Sequence, residues 1–331
     1  MSSFHLLIVI VVISLAFDFT NGWHDAASSI ATIVSTRVLR PFSAVVWAAL
    51  WNLIAPLTFG TAVAATVGRG LVHLQMVNQY VLLAGLLGAI IWNYATIRLG
   101  IPCSSSHALM GGYGGAAIAA AGFRAIILSG WTLPVIFIFV APVIGLVVGI
   151  LATTATSWIV RKQAPWKVDS WFRRLQLISA GAFSFSHGTN DAQKSMGIIT
   201  AALVTGGLIP SYKVPDWVII CCALAMAGGT MAGGWRVVKT MGQRITKLTP
   251  FGGFAAETSA AVTLIGTAAA GIPVSSTHVI TGAISGVGAS RRLTAVRWGV
   301  TRRILWAWIL TIPGAGVMGA LFYVLFLTWL R

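Results

Sequence analysis

One stretch occurs twice in this chain: FDFTNGWHDAASS at residues 17–29 and FSFSHGTNDAQKS at residues 183–195. Aligned without a gap, six of the thirteen positions are identical, and Asp25 and Asp191 fall at the same place in both copies. Each copy sits inside a long apolar run. An ionisable side chain in hydrocarbon is costly, so it faces a bundle interior or a wet cavity and marks an ion or substrate path. A chain that keeps such a carboxylate twice has to bury both, in two versions of one arrangement.

A second pair supports the duplication. GIPCSSSHALMG at 100–111 matches GIPVSSTHVITG at 271–282, with six of the first eight positions identical. The motifs come in the same order, Asp25 preceding His107 by 82 residues and Asp191 preceding His278 by 87. A weaker echo lies between them, where Gly60, Val63, Thr66 and Gly68 match Gly234, Val237, Thr240 and Gly242. The expected organisation is therefore a first repeat over 1–160, a basic linker over 161–174 and a second repeat over 175–331.

Composition fixes the environment. With 57% hydrophobic and 8% charged residues and a mean hydropathy of +0.88, the 331 residues carry too little polar surface to cover a soluble globule. The net charge of +16, which in a soluble protein would suggest nucleic acid, is here a matter of loop topology, and no nucleic-acid partner is expected. Cys103, Cys221 and Cys222 lie in apolar surroundings with neither disulfide nor metal spacing, and read as small hydrophobes. The opening MSSFHLLIVIVVISLA resembles a signal peptide but has no Lys or Arg before its apolar core, and Phe17 onward repeats in mid-chain. Residues 4–20 are accordingly expected to be embedded and retained.

Apolar runs of about 20 residues, enough to cross a bilayer, fall near 4–20, 42–66, 79–97, 131–158, 215–235 and 304–330. Further passes are expected from 101–121, 272–290 and 175–204. The segments 4–36 and 175–204 are long for one crossing and carry Gly, Asn and Asp at their centres, which predicts helices broken there, with freed backbone lining a cavity at the midplane. With ten crossings and the N-terminus outside, 17 of the 22 Lys and Arg fall on the inner side. Arg69, Arg124, Lys213 and Arg331 remain outside and Lys194 lies in the membrane. This is the bias that the positive-inside rule requires. It also places Arg37 and Arg40 inside while their aligned positions, 203 and 206, fall outside. The predicted fold is thus an all-α polytopic membrane protein of inverted-topology repeats, with broken helices and half-helices at the midplane.

The Ser-rich motifs read as helix starts. Pro102 and Pro273 take first-turn roles ahead of Ser104, Ser105 and Ser106 and of Ser275, Ser276 and Thr277. A helix start carries positive dipole and free N–H groups, so two of them facing each other would surround a tetrahedral oxyanion with neutral donors. The plainer alternative is back-bonding of the hydroxyls to helix carbonyls. Asp25 and Asp191 carry the wrong charge for an anion and suit a coupling ion, sodium or a proton, with Asn21 and Asn190 completing the shell; as bland alternatives, each could cap a helix. Lys194, three residues past Asp191, either pairs with it or touches the anion. His24 and His187 align with Asn190 and Asn21, exchanging polar identities, while His107 and His278 read as neutral structural histidines. Glu257 is a helix cap or a further cation ligand.

The quoted motifs resemble the inorganic phosphate transporter (PiT) family of secondary symporters. NGWHDAASSIATIVSTRVLRP resembles the family's first signature, and HGTNDAQKSMGII the second, built on Gly-x-Asn-Asp. The resemblance implies phosphate uptake coupled to sodium or protons, an inverted-repeat fold and a homodimer. Carried over by position, it puts Asp25, Asp191 and Asn190 in the ion and substrate region, where sodium would sit. Ser104, Ser105, Ser106, Ser275, Ser276 and Thr277 then surround phosphate, with Lys194 beside them and Asn21, His24 and Glu257 on the coupling side. His24 stands where the family has the asparagine of its Asn-Asp pair, and Ser28 where many relatives have another. Both departures favour protons, or a neutral metal-phosphate complex, over sodium in the first half.

The expected activity is import of phosphate by alternating access across a bacterial inner membrane, with a coupling cation and no other cofactor. Sulfate or arsenate transport and an anion channel are the alternatives. An enzyme is not expected, because no nucleophile, base and orienting group stand together, although Ser and His adjoin in SSSH and SSTH.

Overall fold

The computed structural model describes residues 3–329, so Arg331, counted above on the outer side, lies outside the described residues. In hydrocarbon, backbone polar groups are satisfied within a helix or a closed barrel, and this chain takes the helical solution. The first half forms α1 (Ser3–Ser35), α2 (Pro41–Thr58), α3 (Ala62–Arg69), α4 (Gln79–Leu99), α5 (Ser105–Ala121) and α6 (Leu128–Val160). The second forms α7 (Pro165–Thr205), α8 (Asp216–Ala232), α9 (Trp235–Gln243), α10 (Pro250–Ala269), α11 (Ser276–Arg291) and α12 (Trp298–Trp329).

The two sets correspond helix by helix and exchange partners. α1 packs on α8 and α9 of the other half while α7 packs on α2 and α3; α5 lies against α12 while α11 lies against α6. The repeated glycines explain this exchange. A Cβ on Gly22 would stand 2.2 Å from the Met226 carbonyl oxygen of α8, and one on Gly188 would stand 3.0 Å from Asn52 and Ala55 of α2. Gly111 and Gly115 likewise bring α5 onto the α12 backbone at Ile312 and Gly316, and Gly282 and Gly286 bring α11 onto α6 at Pro142 and Leu146. These are the small residues, four apart, that let helices approach closely in a membrane.

Five helices, α1, α2, α4, α6 and α12, are long and apolar enough to cross a bilayer, and α8 with α9 makes a sixth candidate bent by 72°. The more polar α5, α7, α10 and α11 lie among them.

The breaks are not where the sequence reading put them. Both acid-bearing segments are continuous: α1 runs unbroken through Asp25 and α7 through Asp191. Asp25 and Asp191 are reached by Thr277 and Ser276 at the start of α11, so neither acid needs the backbone of its own helix to open. The chain breaks instead where sequence forbids a helix. Gly100 and Gly271 adopt φ of +66° and +69° just past α4 and α10, and Ile-Pro follows each, so that α5 and α11 begin as separate helices. The expected pass over 42–66 is divided into α2 and α3, and 215–235 ends at Gly233 before α9 turns away. Residues 250–269, absent from the expected passes, form α10. The polar connection is only the short stretch 161–164, since Pro165 starts α7 in its first turn and 165–174 are helical.

Candidate functional site

The starts of α5 and α11 meet. The rings of His107 and His278, each in the first turn of its helix, lie edge to face with centroids 4.8 Å apart, and His278 stacks on Trp308 of α12 at 3.8 Å. Trp308 Nε1 donates to the Pro102 carbonyl at 3.1 Å, tying the loop before α5 to the same aromatic. Ser104 and Ser275 cap their helices, their hydroxyls accepting from the N–H of His107 and His278 at 3.2 and 3.4 Å. These two of the six hydroxyl residues therefore serve their own helices, while Ser276 and Thr277 point at the acids and Ser106 at Lys194.

Thr277 Oγ1 donates to Asp25 Oδ1 at 3.1 Å and lies 3.1 Å from Ser28 Oγ. Ser276 Oγ donates to Asp191 Oδ2 at 3.4 Å, and Ser106 Oγ meets Lys194 Nζ. Lys194 Nζ also contacts Asp191 Oδ1 at 2.5 Å and the Val274 carbonyl at 3.3 Å. Asp25, His187 and Asp191 present oxygen and nitrogen atoms that all fall within 4.8 Å of one another. The two repeated carboxylates thus share one buried centre with the two helix starts. Neither Asp caps a helix, since both stand mid-helix.

The neighbours of each acid differ. Asp25 Oδ1 is 2.8 Å from His24 Nδ1; with that nitrogen donating, Nε2 faces Cys103 Sγ at 3.4 Å, and Cys103 is 3.2 Å from Thr96 Oγ1. Cys103 is therefore a polar contact in the wall of the site, not the inert hydrophobe of the sequence reading. Near Asp191, Asn52 Nδ2 donates to Thr230 Oγ1 at 3.0 Å, which turns its oxygen toward His187 Nδ1 at 3.2 Å. His187 Nδ1 then carries the hydrogen, and its Nε2 faces Asp191 Oδ2 at 3.2 Å. A proton or a cation between these two atoms satisfies both.

Around the centre stand buried polar atoms with no protein partner among the described residues: both amide atoms of Asn190 and the hydroxyl of Ser105. Orphaned buried groups mark a place completed by ligand, ion or water. Asp18, also buried there, has Ser195, Asn21 and Cys222 as neighbours.

Glu257 lies elsewhere. It is buried in the middle of α10 and caps nothing. Its oxygens accept from Thr32 and Ser179 at 2.5 Å each and from Gln176 Nε2 at 3.0 Å. The repeat counterparts of Thr32, Gln176 and Ser179 are Ile198, Ile10 and Ile13, so this polar pocket, built from both halves, occurs once and is not duplicated. A separate cavity of about 570 Å³, lined by Arg37, Lys247 and Arg297 among others, shares no residue with either cluster.

Sequence reasoning brought Asp25, Asp191, Asn190, Asn21, His24, Lys194 and the Ser and Thr motifs to notice, and the structure gathers them. It passed over Asp18, Asn52 and the three donors to Glu257. The available signal was polar residues on the buried side of apolar runs; none is repeated, so the duplication did not flag them.

An all-helical membrane bundle with a polar centre built from two repeats defines a membrane transport protein. The profile of the Phosphate transporter family matches residues 21–169 and again 161–319, and the chain belongs to that family. It is 52% identical over 322 residues to a probable low-affinity inorganic phosphate transporter of Rhizobium meliloti (strain 1021), covering 97% of this chain and 96% of the relative. A protein described in the same words from Bacillus subtilis (strain 168) is 44% identical over 321 residues, 96% of each chain. A solved structure titled the sodium-dependent phosphate transporter superimposes with a TM-score of 0.89 over 97% of this chain and 99% of that one. At 24% identity, that likeness concerns the fold.

Proposed function

We propose that the chain is a secondary active symporter that imports inorganic phosphate, alone or as a metal-phosphate complex, with protons or sodium by alternating access. The observation that carries the proposal is the convergence of the α5 and α11 starts on the Asp25 and Asp191 carboxylates. Helix starts supply donors for a tetrahedral dianion, and the acids beneath them hold the cation that travels with it. Ser104, Ser105, Ser106, Ser275, Ser276, Thr277 and Asn190 form the phosphate region. Asp25, Asp191, Asn21 and His24 form the coupling region, with sodium, if it is the partner, at Asp25, Asp191 and Asn190; Glu257 is a further buried acid in its own pocket apart from them. The halves 1–160 and 175–331 are inverted copies, and their rocking about this centre opens it to either side. The protein is placed in a bacterial inner membrane as a homodimer with its N-terminus outside, and it catalyses no covalent chemistry.

Neutral hydroxyl donors do not by themselves select phosphate from arsenate or sulfate, so competition decides among them. Radiolabelled phosphate uptake is measured in proteoliposomes under imposed proton and sodium gradients in turn. The expected result is accumulation above the level set by the membrane potential; equilibration to that level and no further identifies a channel and defeats the proposal.

A further inference from the structure

A lysine ammonium has three N–H donors, and Lys194 uses all three on protein oxygens: the Asp191 carboxylate, the Ser106 hydroxyl and the Val274 main-chain carbonyl. No donor is left for an anion. The side chain is 1% exposed and among the largest fully buried ones in the described residues.

The set of groups around it is informative. One carboxylate, one hydroxyl and one backbone carbonyl, drawn from α7, α5 and the break before α11, are the hard oxygen ligands that an alkali or alkaline-earth cation takes. The ammonium stands where such an ion would be held. A second cation brought to the same three oxygens would be repelled by the fixed positive charge already seated on them. In the other half the corresponding position is Ser28, whose hydroxyl contacts Thr277, and there Asp25 receives His24 and Thr277 with no lysine beside it. The duplicated site is therefore unequal in that only one acid is paired with an ammonium.

We propose that Lys194 is a built-in substitute for a coupling cation: its ammonium fills the cation seat formed by Asp191 Oδ1, Ser106 and Val274, so that this seat takes no sodium. The lysine acts as a specificity residue for the coupling ion and not as a phosphate ligand. This rests on the transport reading above, but its primary test does not.

The test uses the full chain purified in detergent, with Lys194→Ala and Lys194→Met compared with wild type by thermal unfolding in sodium chloride and in choline chloride. Alanine leaves the oxygen set open to an ion, while methionine fills the space with an apolar chain. The expected result is sodium-specific stabilisation of Lys194→Ala, corresponding to at least about tenfold in the unfolding equilibrium, with Lys194→Met and wild type unchanged. In proteoliposomes, Lys194→Ala is expected to take up phosphate only when sodium is present. Indifference of Lys194→Ala to sodium, or an equal sodium effect on alanine, methionine and wild-type chains, overturns the proposal. Absence of phosphate uptake by wild type under every gradient would instead defeat the transport reading and leave the sodium stabilisation to be judged alone.

Discussion

Replacing Asp191 by Asn keeps the shape of the side chain and one oxygen for Lys194, while the new amide N–H can donate to the Ser276 hydroxyl, so the change chiefly removes charge. Asp191 lies against Lys194 Nζ at 2.5 Å and His187 Nε2 at 3.2 Å, with both side chains of the Lys–Asp pair almost fully buried. Asn leaves a fully buried ammonium with no counter-charge among the described residues that touch it. Breaking a buried pair from one side costs about 3–5 kcal/mol, whereas replacing both partners by apolar or neutral groups of similar volume is often close to neutral. We therefore expect Asp191→Asn to lower unfolding stability by about 3 kcal/mol or more, over a hundredfold in the unfolding equilibrium. The double variant Asp191→Asn/Lys194→Met should recover most of that loss. The assay is a double-mutant cycle of equilibrium unfolding in detergent, with phosphate accumulation by the same preparations, which should vanish in both variants. An Asp191→Asn protein within about 1 kcal/mol of wild type, or a cycle with no coupling, would show that the charges do not hold one another and would refute the reasoning.

Glu257→Ala strands the Thr32 and Ser179 hydroxyls and the Gln176 amide without their acceptor. At about 1–3 kcal/mol per buried unsatisfied group it should destabilise far more than Glu257→Gln, and the two unfolding midpoints compare this directly. Gly22→Ala places a methyl 2.2 Å from a backbone oxygen where Gly188→Ala meets its neighbours at 3.0 Å. Both should destabilise by about 1–3 kcal/mol, the first more than the second; the reverse order would mean that α1 and α8 can part easily. Thr277→Val removes the hydroxyl that reaches Asp25 and Ser28 while keeping side-chain volume. It should weaken phosphate affinity by about tenfold and, by leaving Asp25 and Ser28 without this partner, lower unfolding stability by about 1–3 kcal/mol; unchanged affinity would remove Thr277 from the binding region.

The general form of this protein was legible because duplication marks what composition cannot. Asp25 and Asp191, and the two Gly-Ile-Pro starts, stood out as repeated positions, and all of them converge in space. The location of the breaks was misread for a physical reason. Polar residues inside an apolar helix signal either an open backbone or partners on neighbouring helices, and sequence alone does not tell these apart. Here the partners exist: Thr277 of α11 for Asp25 and Ser276 of α11 for Asp191. Glycine followed by proline was the better guide to the breaks, because that pair removes a donor and admits a left-handed turn. Asn52 and the pocket around Glu257 escaped because neither is duplicated, and α10 escaped as a pass because its small and polar residues conceal its helical length.

The central claim is that one buried centre, built from the α5 and α11 starts above the Asp25 and Asp191 acids, receives the oxyanion. Arsenate provides a heavy tetrahedral anion whose anomalous scattering locates it in crystals of the purified protein. A peak within hydrogen-bond reach of Ser105 and of Ser276 or Thr277 is the predicted result. A peak confined to the cavity of Arg37, Lys247 and Arg297, with none between the two helix starts, would contradict it.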